Sequence, residues 1–183
     1  YRYMLRKMTD EAGTKRMLDV VQNSNYPTEV RLVAANYLMR AKDLGLETMN
    51  VDTTLAAAFR EEGDARLRMA LAIALGKTKS EHALRNLMEQ FNKEEDYRVQ
   101  CNILHAFNNF EYARVRDLVF SSMRGENTHV AQSAVDYLIR KGSGRDANGY
   151  RQIARDTSLG LPIRLGLLTA ANKHLANYFV DYK

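Results

Sequence analysis

The sequence predicts an all-α protein: a right-handed α-α superhelix of about five helical hairpins, read as one array over residues 1–183. Three observations predict it. A short apolar segment recurs five times, its first residues (Val30, Leu67, Val99, Val130 and Ile163) lying 37, 32, 31 and 33 positions apart, the spacing of a two-helix repeat. The first, fifth and ninth residues of each copy are apolar, and at 100° per residue these fall on one helical face. Clusters of Gly, Asn, Ser and Pro punctuate the chain between the copies, whereas the whole sequence holds only two prolines.

Taken in order, the chain opens on Tyr3-Met4-Leu5-Arg6, which reads like Tyr37-Leu38-Met39-Arg40 and Tyr137-Leu138-Ile139-Arg140. Residues 1–8 are therefore expected to be the end of an inner helix whose own repeat has been cut away, and a chain that starts with Tyr is read as part of a longer protein. Thr14 to Val21 is the first outer helix, and Asn23-Ser24-Asn25-Tyr26-Pro27 turns it into the inner helix near 27–41. An insertion around Asp43 to Glu47 accounts for the long first interval. The second hairpin pairs Val51 to Phe59 with an inner helix near 64–77 across Glu61-Glu62-Gly63-Asp64. The third begins at Ser80, an N-cap for Glu81 to Met88, and continues into an inner helix near 95–109. Glu111 to Met123 and Asp146 to Arg155 are the last two outer helices, and the inner helices near 127–141 and 161–175 complete their hairpins. Alanines recurring in the inner segments let helix axes approach closely.

This pattern of an apolar residue, Arg, two variable positions and small apolar residues ending in Ala-Leu-Gly resembles the HEAT repeat family, in particular the bacterial subgroup first noted in phycobilisome lyases. Leu67-Arg68 through Ala74-Leu75-Gly76 is the best match and Val30-Arg31 the next, while Gln100 and Ala131 depart from the Arg. The resemblance implies an α-solenoid whose concave surface, lined by the inner helices, binds other proteins. HEAT-type proteins also include regulatory or substrate-presenting tracts fused to enzymes such as prolyl isomerases, and DNA glycosylases, and these are the two alternative readings.

Composition narrows the function classes. Hydrophobic residues make up 45% of the chain and charged residues 27%, too apolar for a disordered protein. The single cysteine, Cys101, permits neither an internal disulfide nor a Cys-based zinc site, and favours a reducing, cytoplasmic setting. No apolar run reaches the roughly 18 residues that suggest a membrane span. The net charge of +5 breaks sign along the chain: eight Lys/Arg against four acids in residues 1–42, seven against eleven in 43–96, and eleven against six in 112–183. A stripe following a phosphate backbone would hold one sign, so nucleic acid is disfavoured as a partner and another protein, or a domain of the same chain, is expected.

The seventh residue of each inner segment points away from the core and forms the candidate partner-binding row: Asn36, Ile73, His105, Asp136 and Thr169. The eleventh reads Arg40, Lys77, Asn109, Arg140 and Lys173; this basic row suits an acidic partner, but Lys and Arg in a last helical turn also answer the helix dipole, and that structural role is the expectation. The second-position arginines Arg31, Arg68 and Arg164 are read as struts to carbonyls or acids of adjacent units, and Glu94-Glu95-Asp96 as acids at a helix start. The four histidines, His82, His105, His129 and His174, show no metal-ligand spacing, and Cys101 with His105 at i+4 lacks any oxyanion-donor context. No phosphate-binding loop occurs. The segment is expected to have no catalytic residues, no metal and no cofactor.

Overall fold

The computed structural model describes residues 11–41, Leu44 and residues 51–180. Among these residues the chain forms ten α-helices and no strand, and it divides into two compact units, residues 1–109 and 110–183. The expected helix at residues 1–8 and nearly all of the 43–47 insertion lie outside the described residues.

The first unit holds three hairpins: α1 (Glu11–Gln22) with α2 (Thr28–Arg40), α3 (Val51–Glu61) with α4 (Ala65–Gly76), and α5 (Glu81–Lys93) with α6 (Tyr97–Ala106), which runs on into a 3-10 turn at Phe107–Asn109. Alternate helices pack on one another, α2 on α4 on α6 and α1 on α3 on α5, giving an inner and an outer layer. The predicted period places the fifth and ninth inner residues between the layers, and all of these (Ala34, Leu38, Leu71, Leu75, Ile103 and Phe107) are buried. Val21, Leu55, Phe59 and Leu87 meet them from the outer helices. Gly76 permits the tightest contact, because a methyl group there would stand 2.7 Å from Ala106 Cβ and 3.1 Å from its Cα.

Helix starts are fixed by side chains. Ser80 Oγ accepts from Ala83 N at 3.0 Å, Asp64 Oδ1 from Arg66 N at 2.8 Å and Asp96 Oδ1 from Arg98 N at 2.9 Å. Each cap is worth about 1 kcal/mol, whereas a single fully buried Leu contributes roughly 1.5–3 kcal/mol. The caps therefore set where helices begin, and packing between layers holds them.

The repeat extends to these caps. Glu62-Gly63-Asp64-Ala65-Arg66-Leu67-Arg68 and Glu94-Glu95-Asp96-Tyr97-Arg98-Val99-Gln100 are the same motif 32 residues apart, each with an Asp cap paired to the Arg two residues on. The hydrogen bond from the Arg98 side chain holds the Asp96 carboxyl at about 2, with the backbone N–H of Arg98 acting in the same direction. A carboxyl depressed in the folded state adds stability that is fully present above its unfolded value near 3.8 and fades as pH falls through the folded one. Acid unfolding of the wild type is thus expected to steepen between about pH 4 and pH 2. In an Asp96→Asn variant, pH-resolved urea melts should show a flatter slope over that window.

The second unit contains α7 (Tyr112–Ser122), α8 (Thr128–Lys141), a 3-10 turn at Gly144–Asp146, α9 (Ala147–Ile153) and α10 (Leu161–Val180). Inner helix α10 packs on inner helix α8, and each also packs on its own outer helix. Gly166 brings them together, since a methyl group there would lie 2.3 Å from Val135 Cγ1. Outer helix α9 is shorter than the expected 146–155 because the 3-10 turn takes Asp146 and the helix ends at Ile153, and α10 runs to Val180, beyond the expected 175.

Candidate functional site

The seventh positions fall on equivalent turns of successive inner helices: Asn36 on α2, Ile73 on α4 and His105 on α6 in the first unit, Asp136 on α8 and Thr169 on α10 in the second. Asn36, Ile73 and Asp136 are half-buried, His105 and Thr169 exposed. Three of the four polar members are tied to their own helices. Asn36 Nδ2 donates to Leu32 O at 2.8 Å, Thr169 Oγ1 donates to Leu165 O at 3.0 Å, and Asp136 Oδ1 accepts from Gln132 Nε2 at 3.0 Å. Asp136 Oδ2 and the Asn36 carbonyl oxygen keep acceptor capacity.

The basic row divides. Lys77 Nζ reaches across to the open carbonyls at the end of α2, donating to Leu38 O at 3.3 Å and making shorter bonds to Met39 O and Ala41 O. Burial pushes its pKa below the ordinary lysine value. In the second unit Lys173 Nζ donates to Ile139 O at 2.7 Å, at the end of α8, and the ring Nε2 of the adjacent buried His174 bonds Leu138 O at 2.7 Å. These lysines answer a helix dipole as expected, but that of the preceding inner helix rather than of their own. Lys77 and Lys173 hold successive inner helices in register and do not form an open cationic strip. Arg40 and Arg140 are exposed, and Asn109 donates to Ala106 O at 3.1 Å.

The second-position arginines make the bonds expected of struts. Arg31 Nε donates to Val21 O at 2.8 Å, and its Nη2 pairs with Glu62 of the next hairpin. Arg68 donates to Glu62 O at 3.2 Å and Gly63 O at 2.8 Å, then grips Glu94 of the following hairpin through two bonds of 2.9 Å. Gln100, which breaks the sequence pattern, keeps half of this role by donating to Glu94 O at 2.9 Å. Glu94 is consequently buried, with its side chain 3% exposed, and Asp96 alone caps the helix. Of the acids expected at this helix start, Asp96 caps it, and Glu94 bridges the two hairpins while accepting from Asp96 N at 3.0 Å. Arg31 and Glu62 line an open cleft of about 440 Å³, and Arg68 and Glu94 a shallower one of about 530 Å³, so each inter-hairpin cleft contains an ion pair.

Comparison with protein-family models, with curated proteins and with solved structures finds no match to this chain.

One polar cluster has no counterpart in the sequence reading. In the second unit Arg116 grips Asp146 through two bonds of 2.9 Å, Tyr112 OH donates to Asp146 Oδ2 at 2.6 Å, and the Tyr112 and Tyr150 hydroxyls meet at 2.9 Å. Ser143 N donates to Tyr150 OH at 3.1 Å, and the guanidinium of Arg116 lies 4.9 Å from the centre of the Phe120 ring. The Arg116 side chain, helped by Tyr112, holds Asp146 below the ordinary carboxyl range, while burial pushes both tyrosines upward. These bonds clamp the start of α9 to α7. The only advance signal was separation: Arg116 and Asp146 are 30 residues apart, close to one repeat.

Among the described residues no three His, Cys, Asp or Glu side chains gather as a metal site, and no helix is long and apolar enough to cross a membrane. Cys101 is a half-buried free thiol on α6, and His105 at i+4 is exposed.

Proposed function

We propose that the chain is a HEAT-like repeat protein, its hairpins belonging to the right-handed α-solenoid expected from the sequence, and that it serves as a non-catalytic scaffold binding another protein along its inner helices. The observation that carries this reading is the stacking of α2, α4 and α6, which puts Asn36, Ile73 and His105 at equivalent positions of one layer. A half-buried isoleucine between a carboxamide and an imidazole combines an apolar contact with flanking hydrogen-bond groups, a combination that suits an extended segment of a partner protein.

The test is partner capture from cells that make the protein, comparing wild type with a variant carrying Asn36→Ala, His105→Ala and Asp136→Ala. One defined protein is expected with the wild type, recovered at least tenfold less with the variant. A second variant, Arg40→Glu with Arg140→Glu, leaves the register-holding lysines intact and tests for a phosphate-bearing partner. Recovery of nucleic acid alone, lost in the second variant and kept in the first, would overturn the proposal.

A further inference from the structure

Asn148 and Gly149 form the one Asn-Gly pair in the sequence. Asparagine before glycine is the pair most prone to deamidate, because a residue without Cβ lets its amide nitrogen approach the preceding carboxamide. The pair sits in the first turn of α9, with Asn148 exposed and Gly149 half-buried. A methyl group at Gly149 would meet nothing within 4 Å, so no close packing calls for glycine there. α9 has seven residues, well below the roughly 12–15 at which a helix holds by itself, and a glycine inside it lowers helix propensity further.

The first turn is held instead by side chains. Both oxygens of Asp146, the residue before α9, accept from Arg116 at 2.9 Å, and Tyr112 OH donates to Oδ2 at 2.6 Å. Ala147 is buried, and Tyr150 stacks on Phe120 with ring centres 5.7 Å apart. While the turn is closed, the helical conformation directs the Asn148 side chain back toward the helix start and away from Gly149 N. Deamidation therefore requires the turn to open, and the bonds to Asp146 oppose that opening.

We propose that Asn148 is a site of spontaneous covalent modification, and that the Arg116 and Tyr112 bonds to Asp146 set its rate. In the opened turn Gly149 N gives its proton to solvent base and attacks Asn148 Cγ. A new C–N bond closes a five-membered succinimide, and the bond from Cγ to the side-chain nitrogen breaks, releasing ammonia. Water then opens the ring at either carbonyl, leaving an aspartyl or isoaspartyl residue at position 148, with no oxidant or reductant consumed. The isoaspartyl product carries an extra carbon in the main chain, so the first helical turn cannot close again and the opening becomes one-way. This site is on an outer helix of the second unit, and the proposal stands whether or not the inner row binds a partner.

The test incubates the full chain in mildly alkaline buffer and follows the tryptic peptide Asp146–Arg151 by mass spectrometry, with the urea-unfolded chain as reference. The unfolded chain is expected to deamidate at least about tenfold faster than the folded one. Arg116→Gln, its folding verified by circular dichroism, should speed the folded reaction about tenfold, as loss of a charge-assisted hydrogen bond raises the open population. Tyr112→Phe should act in the same direction with a smaller effect, and Gly149→Ala should stop the reaction. Glu94→Ala weakens the first unit without touching the clamp and should leave the rate within about twofold of wild type. A folded wild type that deamidates as fast as the unfolded chain would overturn the proposal. So would Arg116→Gln and Tyr112→Phe rates equal to wild type, or equal acceleration by Glu94→Ala.

Discussion

Glu94→Ala is expected to destabilise the first unit by about 3 kcal/mol, the usual cost of leaving one partner of a buried ion pair alone. The Glu94 and Arg68 side chains are 3% and 16% exposed, and both carboxylate oxygens are engaged at 2.9 Å. Loss of the acid strands a guanidinium between two hairpins and frees Asp96 N from its bond to Glu94 Oε1. Glu89→Ala is the control. Its pair with Lys93 is shorter, at 2.6 Å, but the two side chains are 59% and 64% exposed, so little or no stability should be lost. Burial, not distance, decides the ranking. Urea melts of both variants check it, and a double variant Arg68→Met with Glu94→Leu should regain most of the loss, because a packed apolar pair avoids the desolvation cost of two buried ions. Equal effects of Glu94→Ala and Glu89→Ala would remove the bridge from the account.

Gly76→Ala is expected to cost about 2 kcal/mol, with the sign as informative as the size. In a helix, Gly to Ala ordinarily stabilises, by up to about 1 kcal/mol. Here the new methyl would stand 2.7 Å from Ala106 Cβ, 3.0 Å from its carbonyl oxygen and 3.1 Å from its Cα. Two of those three atoms are backbone and cannot rotate aside, so α4 and α6 must separate and loosen the contacts of Leu75 and Phe107. A thermal melt that rises in Gly76→Ala would show that the two helices are less closely packed than described. Ala106→Gly in the Gly76→Ala background removes the closest of the three contacts and should return part of the loss.

The helical plan was legible because it rests on local signals summed over five copies. Period, apolar face and stop residues agree in most of the repeats, the long first interval and the exposed Val30 being the exceptions, and the caps Ser80 and Asp64 sit where a helix must begin. The arginine struts were legible for the same reason: Arg31 and Arg68 recur at one position of the repeat, and bonding to the neighbouring unit is the use a recurring half-buried arginine has. Lys77 and Lys173 bond carbonyls at the end of the preceding inner helix, not of their own, since sequence shows the helix a lysine sits on and not the carbonyls its four-carbon stem reaches. Glu94 was hidden by its neighbours: in Glu94-Glu95-Asp96 three acids look alike, and only the packing of α6 behind α4 buries one of them. The Tyr112, Arg116 and Asp146 cluster was not legible, because its members are at no shared repeat position and meet only once α7 and the start of α9 are placed. The seventh-position row was legible as a set of equivalent positions, but residue spacing carries no signal for what such a row binds.

The scaffold reading is tested most directly by site-specific photocrosslinking in the cells that make the protein, with a benzophenone amino acid at Ile73 on the inner layer or at Glu89 on the exposed side of α5. The account predicts one defined protein crosslinked from Ile73 and none from Glu89. Crosslinks from Glu89 alone, or nucleic acid from either position, would contradict it.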